Sequence, residues 1–248
     1  MSQKNPDAKP LKVSVIIPAY NEEVTIARCL RSLVDQSLPR DQFEIILVDN
    51  NCTDHTIKIA ETFGPIRVIP ETTPGVGAAR ATGWAAAEGE IIVSTDADIQ
   101  LPKHWLRKIV GYFDNHPDVV AISSGYLFYD RDFFINWIVR VFEHSLVALS
   151  WFLAGGVMAM TANNMAVRRS IYEQTSGLDR TLQFGEDLNL AKKLHQFGSI
   201  RWLFNNRVKT TARRFQDLDL SVVPYFLNFL SMSARDKAVR NRLHNIRK

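Results

Sequence analysis

The chain has 248 residues, of which 46% are apolar and 23% are charged, and its formal net charge is +4. This balance is typical of a soluble globular protein with a sizeable core, and it excludes disordered, collagen-like and coiled-coil chains. Two cysteines, Cys29 and Cys52, are too few for a disulfide scaffold, so we expect reduced thiols and a cytoplasmic protein. Residues 1–10 are polar, and we expect a flexible N-terminal tail without a secretory signal.

Positive charge is concentrated at the C-terminal end of the chain. Residues 235–248 contain six basic residues and one acid, which leaves a net charge of −1 for the other 234 residues. A nucleic-acid-binding surface needs basic residues clustered across a groove or along a helix face. We therefore expect no nucleic-acid partner.

Short β-branched segments alternate with helical patterns through the first half of the chain. Strands are predicted over 13–17, 43–48, 66–69 and 90–95, with Pro18 ending the first. Helices are predicted from Asn21 as N-cap, from Asp54 to about 63, over 78–87 with Gly89 as a left-handed stop, and from Pro102 to about 115. This alternation predicts an α/β fold: a doubly wound, mostly parallel sheet with helices on both faces.

The longest uncharged stretch, residues 145–167, reaches the length of a membrane-spanning helix. Gly155 and Gly156 interrupt it, and Asn163 and Asn164 add polar side chains. We therefore predict an amphipathic helix over about 132–153, then a glycine turn and a buried strand. A helix that lies on a membrane surface is the alternative interpretation.

Polar side chains follow three of the predicted strands, as the segments 18–22, 49–51 and 96–98. The carboxyl ends of parallel strands form the ligand crevice of such sheets, so we expect these side chains to converge. If the backbone stays extended, the carboxylates of Asp96 and Asp98 point the same way and offer hard oxygen ligands to Mg²⁺ or Mn²⁺. The small Ala97 between them would leave room for a bulky ligand. The alternative is that both acids are turn residues.

Two other nucleotide-binding motifs can be compared with the same residues. The chain contains no G-x-x-x-x-G-K-[ST] segment, which excludes a P-loop. The segment Gly-Val-Gly-Ala-Ala-Arg at 75–80 begins like a dinucleotide-binding turn, but Arg80 stands where the third glycine is needed for close helix packing. Arg80 is then either a phosphate partner or a solvated helix residue, and both interpretations stay open.

Five segments follow one another with suitable spacing: VSVIIPAYNEEVTIARCLRSL, EIILVDNNCTDHT, PGVGAAR, GEIIVSTDADIQLPKHWL and TANNMAVRRSIYEQTSGLDRTLQFGEDLNLAKKLHQFG. Together they resemble the inverting family 2 glycosyltransferases of the GT-A fold, over about residues 11–205. The resemblance implies one GT-A domain over 11–217, with a nucleotide-binding half at about 11–100 and an acceptor half at 101–217. Residues 218–248 would form a C-terminal helix and a basic tail.

The resemblance also implies a metal-dependent transfer of sugar from a nucleoside diphosphate sugar, with a UDP-sugar favoured, to a glycan, lipid or lipid-linked acceptor. It assigns Asp187 as the general base, with Glu186 on the acceptor side and Asp96 and Asp98 on the metal. Trp151, near the glycine turn, either stacks on a sugar on the acceptor side or belongs to the core. The residues expected to bind the nucleotide sugar are Pro18, Ala19, Tyr20, Glu22, Asp49, Gly75, Arg80, Asp96 and Ala97.

The Glu-Asp pair also has a simpler interpretation. Glu186 and Asp187 follow Gly185 at the start of a predicted helix, where two acids merely complement the helix dipole. Transfer from a nucleoside diphosphate sugar, however, needs a base that takes the proton of the attacking hydroxyl. The acidic strand ends earlier in the chain favour this second interpretation.

The sequence departs from the family after the Glu-Asp helix. Many members carry a histidine in a later segment, where it can complete the metal site, whereas residues 210–215 read Thr-Thr-Ala-Arg-Arg-Phe. An arginine cannot bind a cation, but its planar guanidinium can bind a phosphate. We expect Arg213 or Arg214 either to contact the diphosphate or to lie in a solvated loop.

The C-terminal end and the overall activity each allow more than one interpretation. An apolar cluster precedes the basic tail: Val222, Val223, Tyr225, Phe226, Leu227, Phe229 and Leu230. This order predicts either a peripheral contact with an anionic membrane, at the inner face of the cell membrane, or a helix packed on the core. For the activity, the alternatives are a non-catalytic nucleotide-sugar-binding protein and a sugar nucleotidyltransferase.

Overall fold

The structure is a computed structural model, and it describes residues 11–212 apart from 154, 159, 183 and 184. The strands are β1 (Val13–Ala19), β2 (Phe43–Asp49), β3 (Arg67–Pro70), β4 (Ile91–Thr95), β5 (Val119–Ser123), β6 (Tyr126–Phe128), β7 (Asn164–Arg168), β8 (Ser199–Trp202) and β9 (Val208–Thr210). The helices are α1 (Ile26–Val34), α2 (Thr56–Ala60), α3 (Val76–Ala85), α4 (Trp105–Asn115), α5 (Phe133–Leu153), α6 (Arg169–Tyr172) and α7 (Glu186–His195).

Seven of the strands form one sheet in the order β3-β2-β1-β4-β7-β5-β8. All neighbours in this sheet are parallel except at β7, which runs antiparallel to both β4 and β5. Strands β6 and β9 pair separately as a two-stranded parallel sheet. The predicted doubly wound, mostly parallel α/β sheet is therefore confirmed.

Two hydrophobic cores cover the two faces of the sheet, and β1 contributes to both. Val13, Val15 and Ile17 pack with apolar residues of α1 and α4, whereas Ile16 packs on the other face with residues of α3 and α7. A strand that is buried on both faces needs apolar side chains at every position, which explains the unbroken β-branched run in the sequence.

Pro18 does not end the first strand, which was predicted to stop there. β1 continues through Pro18 to Ala19, and the Ala19 carbonyl accepts a hydrogen bond from the backbone N–H of Asn50 on the β2 side. The backbone nitrogen of Pro18, which carries no hydrogen, therefore faces β4. The pairing of β1 with β4 has already ended there, at Ile16 and Ser94. A proline is tolerated in this strand because it interrupts no ladder hydrogen bond.

Asn21 is not the N-cap of the first helix. It adopts a positive φ of 52°, and its side-chain oxygen accepts a hydrogen bond from the backbone N–H of Thr53 at 2.8 Å. Helix α1 begins only at Ile26. Asn21 therefore turns the chain after β1 and ties that turn to the loop after β2.

Gly89 is required for close packing, not for a left-handed helix stop, so this prediction was also wrong. Its φ is not positive, and a Cβ atom at this position would lie 2.5 Å from both the backbone nitrogen of Ser14 and the carbonyl carbon of Val13. The backbone of β1 thus approaches Gly89 too closely for any side chain.

Gly89→Ala is expected to lower the free energy of unfolding by about 3 kcal/mol, the upper part of the range for overpacking, because two backbone segments must move apart. Gly111→Ala is the matched control: Gly111 lies within α4, and a Cβ atom there meets no atom within 4 Å. It should stabilise the protein by about 0.5–1 kcal/mol through helix propensity. Urea denaturation measures both changes, and equal values would contradict this account of Gly89.

Candidate active site

The carboxyl ends of β2, β1 and β4 lie side by side at one edge of the sheet. The chain order reverses between β1 and β4, which is the place where such sheets bind ligands. Tyr20 follows β1 and is 39% exposed, Asp49 ends β2, and Asp96 follows β4. The structure therefore brings the three predicted polar clusters to one edge, as the sequence analysis expected.

Pro18 and Ala19 differ from the other residues of this group because both belong to buried β1. They can contact a ligand through the backbone but not through an exposed side chain. Asp49 is partly engaged within the protein, since its Oδ1 accepts a hydrogen bond from the N–H of Cys52 at 2.8 Å. Glu22 follows the turn at Asn21, and its Oε2 accepts from the hydroxyl of Thr25 at 2.8 Å.

The segment 96–98 forms a turn instead of continuing the strand. β4 ends at Thr95, and the Asp96 carbonyl accepts a hydrogen bond from the N–H of Ile99 at 3.2 Å. The extended backbone that would have aligned the two carboxylates is therefore absent. Ala97 is 2% exposed and packs in the core. Its methyl group is therefore turned to the core, although Ala97 was expected among the residues that bind the nucleotide sugar.

The charges of both acids in this turn, Asp96 and Asp98, affect the pKa of the buried Cys29 thiol. The Cys29 thiol is buried and donates to the Asp96 carbonyl at 3.5 Å. Burial raises the pKa of this thiol far above its ordinary value, and the charges of Asp98 and Asp96 raise it further. The Cys29 thiol is therefore protonated at neutral pH.

Arg80 joins the two halves of the site. Its guanidinium donates one hydrogen bond to Oδ1 of Asp96 at 2.6 Å and another to Oε1 of Glu186. The Arg80 and Glu186 side chains are each 6% exposed, and that of Asp96 is 19% exposed. Arg80 is therefore not a solvated helix residue but a buried bridge between the turn after β4 and the start of α7.

Asp187 lies next to this bridge, at the first turn of α7. Its Oδ2 accepts from the N–H of Ala162 at 3.1 Å, and its Oδ1 accepts from the N–H of Leu188 at 2.8 Å. Burial, followed by the charge of Glu186, raises the pKa of Asp187 to about 7, against the opposing effect of these N–H groups and Arg80. A carboxylate with such a pKa is suited to proton transfer at neutral pH.

Asn50 and Glu71 organise the site. Asn50 belongs to the polar segment predicted after the second strand, whereas Glu71 was not predicted. The buried Asn50 amide donates to the carbonyls of Glu71 and Thr73, and its oxygen accepts from the N–H of Gly75 at 2.9 Å. It thereby holds the loop that leads into α3. Gly75 occupies the N-cap position of α3 with a φ of 132°, which only glycine adopts readily.

The Glu71 carboxylate connects the same loop to the segment before α7. It accepts hydrogen bonds from the Thr82 hydroxyl and the Thr73 N–H, and it pairs with Arg180. Of these groups, Thr82 contributes most to holding the pKa of Glu71 at about 2. The signal in the sequence was available, because Glu71 lies at the carboxyl end of a strand, as do Asp49 and Asp96.

Two further groups of predicted residues have different outcomes. Trp151 lies in the last turn of α5, half-exposed, and its indole would lie about 4 Å from a Cβ atom at Gly156. Arg213 and Arg214 lie outside the described residues.

Among the residues that the structure describes, no group of three or more His, Cys, Asp or Glu side chains could hold a metal ion. A cation at Asp96 and Asp98 would thus need further ligands from the diphosphate or water.

The family model of glycosyl transferase family 2 matches residues 14–175. This chain belongs to glycosyltransferase family 2. The match includes the ends of β1, β2 and β4 together with Arg80 and Asp96, while α7, with Glu186 and Asp187, lies beyond it.

Other members and solved structures resemble this glycosyltransferase family 2 chain over much of its length. Probable glycosyltransferase YdaM of Bacillus subtilis is 28% identical over 201 residues, which are 75% of this chain and 47% of YdaM. The chain therefore spans about half the length of that relative.

Two solved structures were compared with the fold. The structure of residues 1-349 of Staphylococcus aureus TarS in complex with UDP-GlcNAc has a TM-score of 0.67 and 20% identity, covering 92% of this chain and 74% of that chain. Mannosyltransferase PcManGT of Pyrobaculum calidifontis, in complex with GDP-Man and Mn²⁺, has a TM-score of 0.63 and 26% identity, covering 84% of this chain and 61% of that chain. The similarity confirms the GT-A fold of this family 2 chain.

Proposed function

We propose that the protein is a metal-dependent inverting glycosyltransferase that uses a nucleoside diphosphate sugar, with a UDP-sugar as the favoured donor. The Arg80 bridge carries this proposal, because it joins Asp96 at the donor edge of the sheet to Glu186, the neighbour of the base candidate Asp187. Membership of glycosyltransferase family 2 supports it. UDP-GlcNAc in the TarS structure supports the choice of donor.

The donor would bind across the ends of β1, β2 and β4. Tyr20, Glu22 and Asp49 would contact the nucleoside, and the loop at Gly75 would border it. Asp96 and Asp98 are hard oxygen donors within one short turn, so they fit Mg²⁺ or Mn²⁺. A divalent cation bound there would offset the charge of the departing diphosphate. The Mn²⁺ in the PcManGT structure supports this assignment.

Asp187 would act as the general base. It takes the proton of the acceptor hydroxyl while the hydroxyl oxygen bonds to the anomeric carbon of the sugar. The bond from that carbon to the diphosphate oxygen breaks, and the diphosphate leaves with the electron pair. Direct displacement inverts the anomeric configuration and needs no covalent enzyme intermediate. Arg80 holds Glu186 beside the base, so we regard it as a positioning residue and not as a phosphate ligand.

The remaining features of the proposal rest on the sequence. We propose a transferase domain over 11–217 followed by a separate segment at 218–248, in a protein located in the cytoplasm, at the inner face of the membrane. Arg213 or Arg214 would contact the diphosphate. The acceptor would be a glycan, a lipid or a lipid-linked sugar, and the apolar and basic residues of the C-terminal segment would favour one at the membrane.

A panel of nucleotide sugars tests the proposal. Purified protein with Mn²⁺ is incubated with each donor, and the released nucleotide is identified by chromatography. A nucleoside diphosphate is the expected product. Pyrophosphate would identify a nucleotidyltransferase instead, and donor binding without any product over a wide range of acceptors would identify a non-catalytic binding protein.

Asp98→Ala is expected to weaken donor binding, by no more than chelation of the metal does. The acid offers a ligand for the cation, and the cation offsets repulsion between the diphosphate and the two carboxylates of the turn. Isothermal titration with UDP-GlcNAc, with and without EDTA, measures the change, which we expect to be about tenfold or more. Asp114→Asn on the exposed face of α4 is the control and should bind normally. Equal donor affinity with and without the metal would refute the metal assignment.

A further inference from the structure

Helix α5 presents a continuous apolar stripe to the outside of the protein. The stripe consists of six residues on one helix face, four before Ser145 and two after it: Phe134, Trp137, Ile138, Val141, Leu149 and Phe152. All six are exposed, from 40% for Leu149 to 74% for Phe152. The structure thus reverses the usual arrangement of an amphipathic helix, in which the apolar face packs on the core.

Two polar residues of α5, Asn136 and Glu143, face the protein, whereas Arg140, His144 and Ser145 are exposed. Asn136 exchanges hydrogen bonds with the backbone N–H and carbonyl of Phe128, at 2.8 and 3.0 Å. Glu143 accepts from the indole of Trp202 and from the guanidinium of Arg207, each at 3.1 Å. Ser145, which lies within the stripe, donates its hydroxyl to the Val141 carbonyl of its own helix. The stripe therefore presents no carboxylate, and its one hydroxyl group is satisfied.

By length and composition, α5 could also cross a membrane. The connections at its two ends exclude this. Asn136 binds the end of β6 just before the helix, and the chain after the helix enters β7, which lies between β4 and β5 in the central sheet. A spanning helix would place these two strands on opposite sides of the membrane. The helix can only lie along a surface.

We propose that the outward stripe of α5 lies on an anionic lipid bilayer. The helix is about 30 Å long and carries aromatic residues near both ends, an arrangement typical of helices at the membrane interface. The helix contains two charged residues, of which Arg140 is exposed and Glu143 pairs inside the protein. The charge beside the stripe thus complements an anionic surface.

The position of Ala212, where the described chain ends, also favours an anionic bilayer against the stripe. Ala212 is held at the start of α5, because its N–H donates to Asp130, three residues before the helix, at 2.9 Å. The sequence that follows this point, residues 213–248, includes the apolar cluster at 222–230 and the tail with six basic residues and one acid. An apolar segment and a basic tail that follow a point close to the start of α5 favour an anionic bilayer.

The position of α5 also gives the membrane contact a role, and this step rests on the proposed function. The chain that follows α5 reaches Ala162, whose N–H donates to Asp187 at 3.1 Å. Trp151 in the last turn of the helix lies beside Gly156 in that connection. An acceptor carried by a lipid would thus approach the base along the segment that the membrane-bound helix supports.

Co-sedimentation of the full chain with vesicles tests the proposal. The protein should pellet with vesicles of phosphatidylglycerol and phosphatidylcholine, less so at high salt, and weakly with phosphatidylcholine alone. Val141→Glu should lower the partition coefficient by roughly tenfold. It removes a valine that the bilayer would bury, and its carboxylate is repelled by anionic lipid. Val34→Glu is the matched control, because Val34 is similarly exposed at the end of α1, and it should bind as the unmodified protein does.

Three results would overturn the proposal. Vesicle binding that Val141→Glu leaves unchanged would place the contact elsewhere, for example in the basic tail. Absence of binding, with a lower melting temperature for Val141→Glu but not Val34→Glu, would show that another part of this chain covers the stripe. A dimer in sedimentation equilibrium that Val141→Glu dissociates would show that a second copy covers it. None of these measurements needs sugar transfer, so they are independent of the donor test.

Discussion

Asp187→Asn is expected to lower the rate of sugar transfer by about 10²–10⁴-fold, while the affinity for the donor changes little. Asparagine keeps the shape of the side chain and one acceptor for the N–H groups of Ala162 and Leu188. It cannot take a proton from the acceptor hydroxyl. The defect should therefore lie in kcat at saturating donor, with the donor Kd measured separately by titration.

The pH dependence provides a second measurement for the same residue. Because burial and Glu186 raise the pKa of Asp187 to about 7, the base is mostly protonated below this pH and ionised above it. The rate should therefore rise as the pH increases from about 6 to 8 and then level off. Asp187→Asn should abolish this rise in the residual activity. Near-normal turnover of Asp187→Asn, or an unchanged pH profile, would contradict the assignment of Asp187 as the base.

Arg80→Met is expected to lower the free energy of unfolding by about 3–5 kcal/mol. The substitution keeps an unbranched side chain but leaves the buried Glu186 and the largely buried Asp96 without their shared cation. Removing one partner of a buried ion pair is costly because the remaining charge stays desolvated. Chemical denaturation followed by circular dichroism measures the loss.

Arg169→Met is the control for a partly exposed pair, since Arg169 pairs with Glu173 across one helical turn and also donates to the Gly89 carbonyl at 2.9 Å. Losing a surface ion pair and one hydrogen bond should cost about 2 kcal/mol or less. Adding Glu186→Gln to Arg80→Met should recover part of the stability, because it removes one of the unpaired charges. Equal effects of Arg80→Met and Arg169→Met would contradict a buried bridge at Arg80.

Arg80→Met should also change the pH profile of transfer in any remaining folded enzyme. The positive charge of Arg80 opposes the increase in the pKa of Asp187, so its removal raises this pKa further. The rising limb of the profile should move to higher pH. If Arg80 had only a structural role, Arg80→Met would lower the amount of active enzyme and leave the rising limb of the pH profile at the same pH.

The sequence by itself determined the alternation of strands and helices, the mostly parallel sheet and the polar residues that converge at its edge. These features depend on local patterns, since a buried parallel strand such as β1 requires consecutive apolar residues, and the residue after it lies at the ligand edge. The helix α5 and the glycine turn after it were predictable for the same reason. Each is encoded within a few residues of its own position.

Only the tertiary structure decided how distant residues contact one another. Arg80 and Glu186 are 106 positions apart, and Glu71 and Arg180 are 109 positions apart, so no local pattern pairs them. The role of Gly89 depends on the backbone of β1, and the tolerance of Pro18 depends on where β4 stops pairing. The periodicity of α5 predicts an apolar face, but its direction depends on the partners of Asn136 and Glu143. Hydrophobic periodicity specifies which face of an element is apolar, whereas long-range hydrogen bonds and packing specify what that face meets.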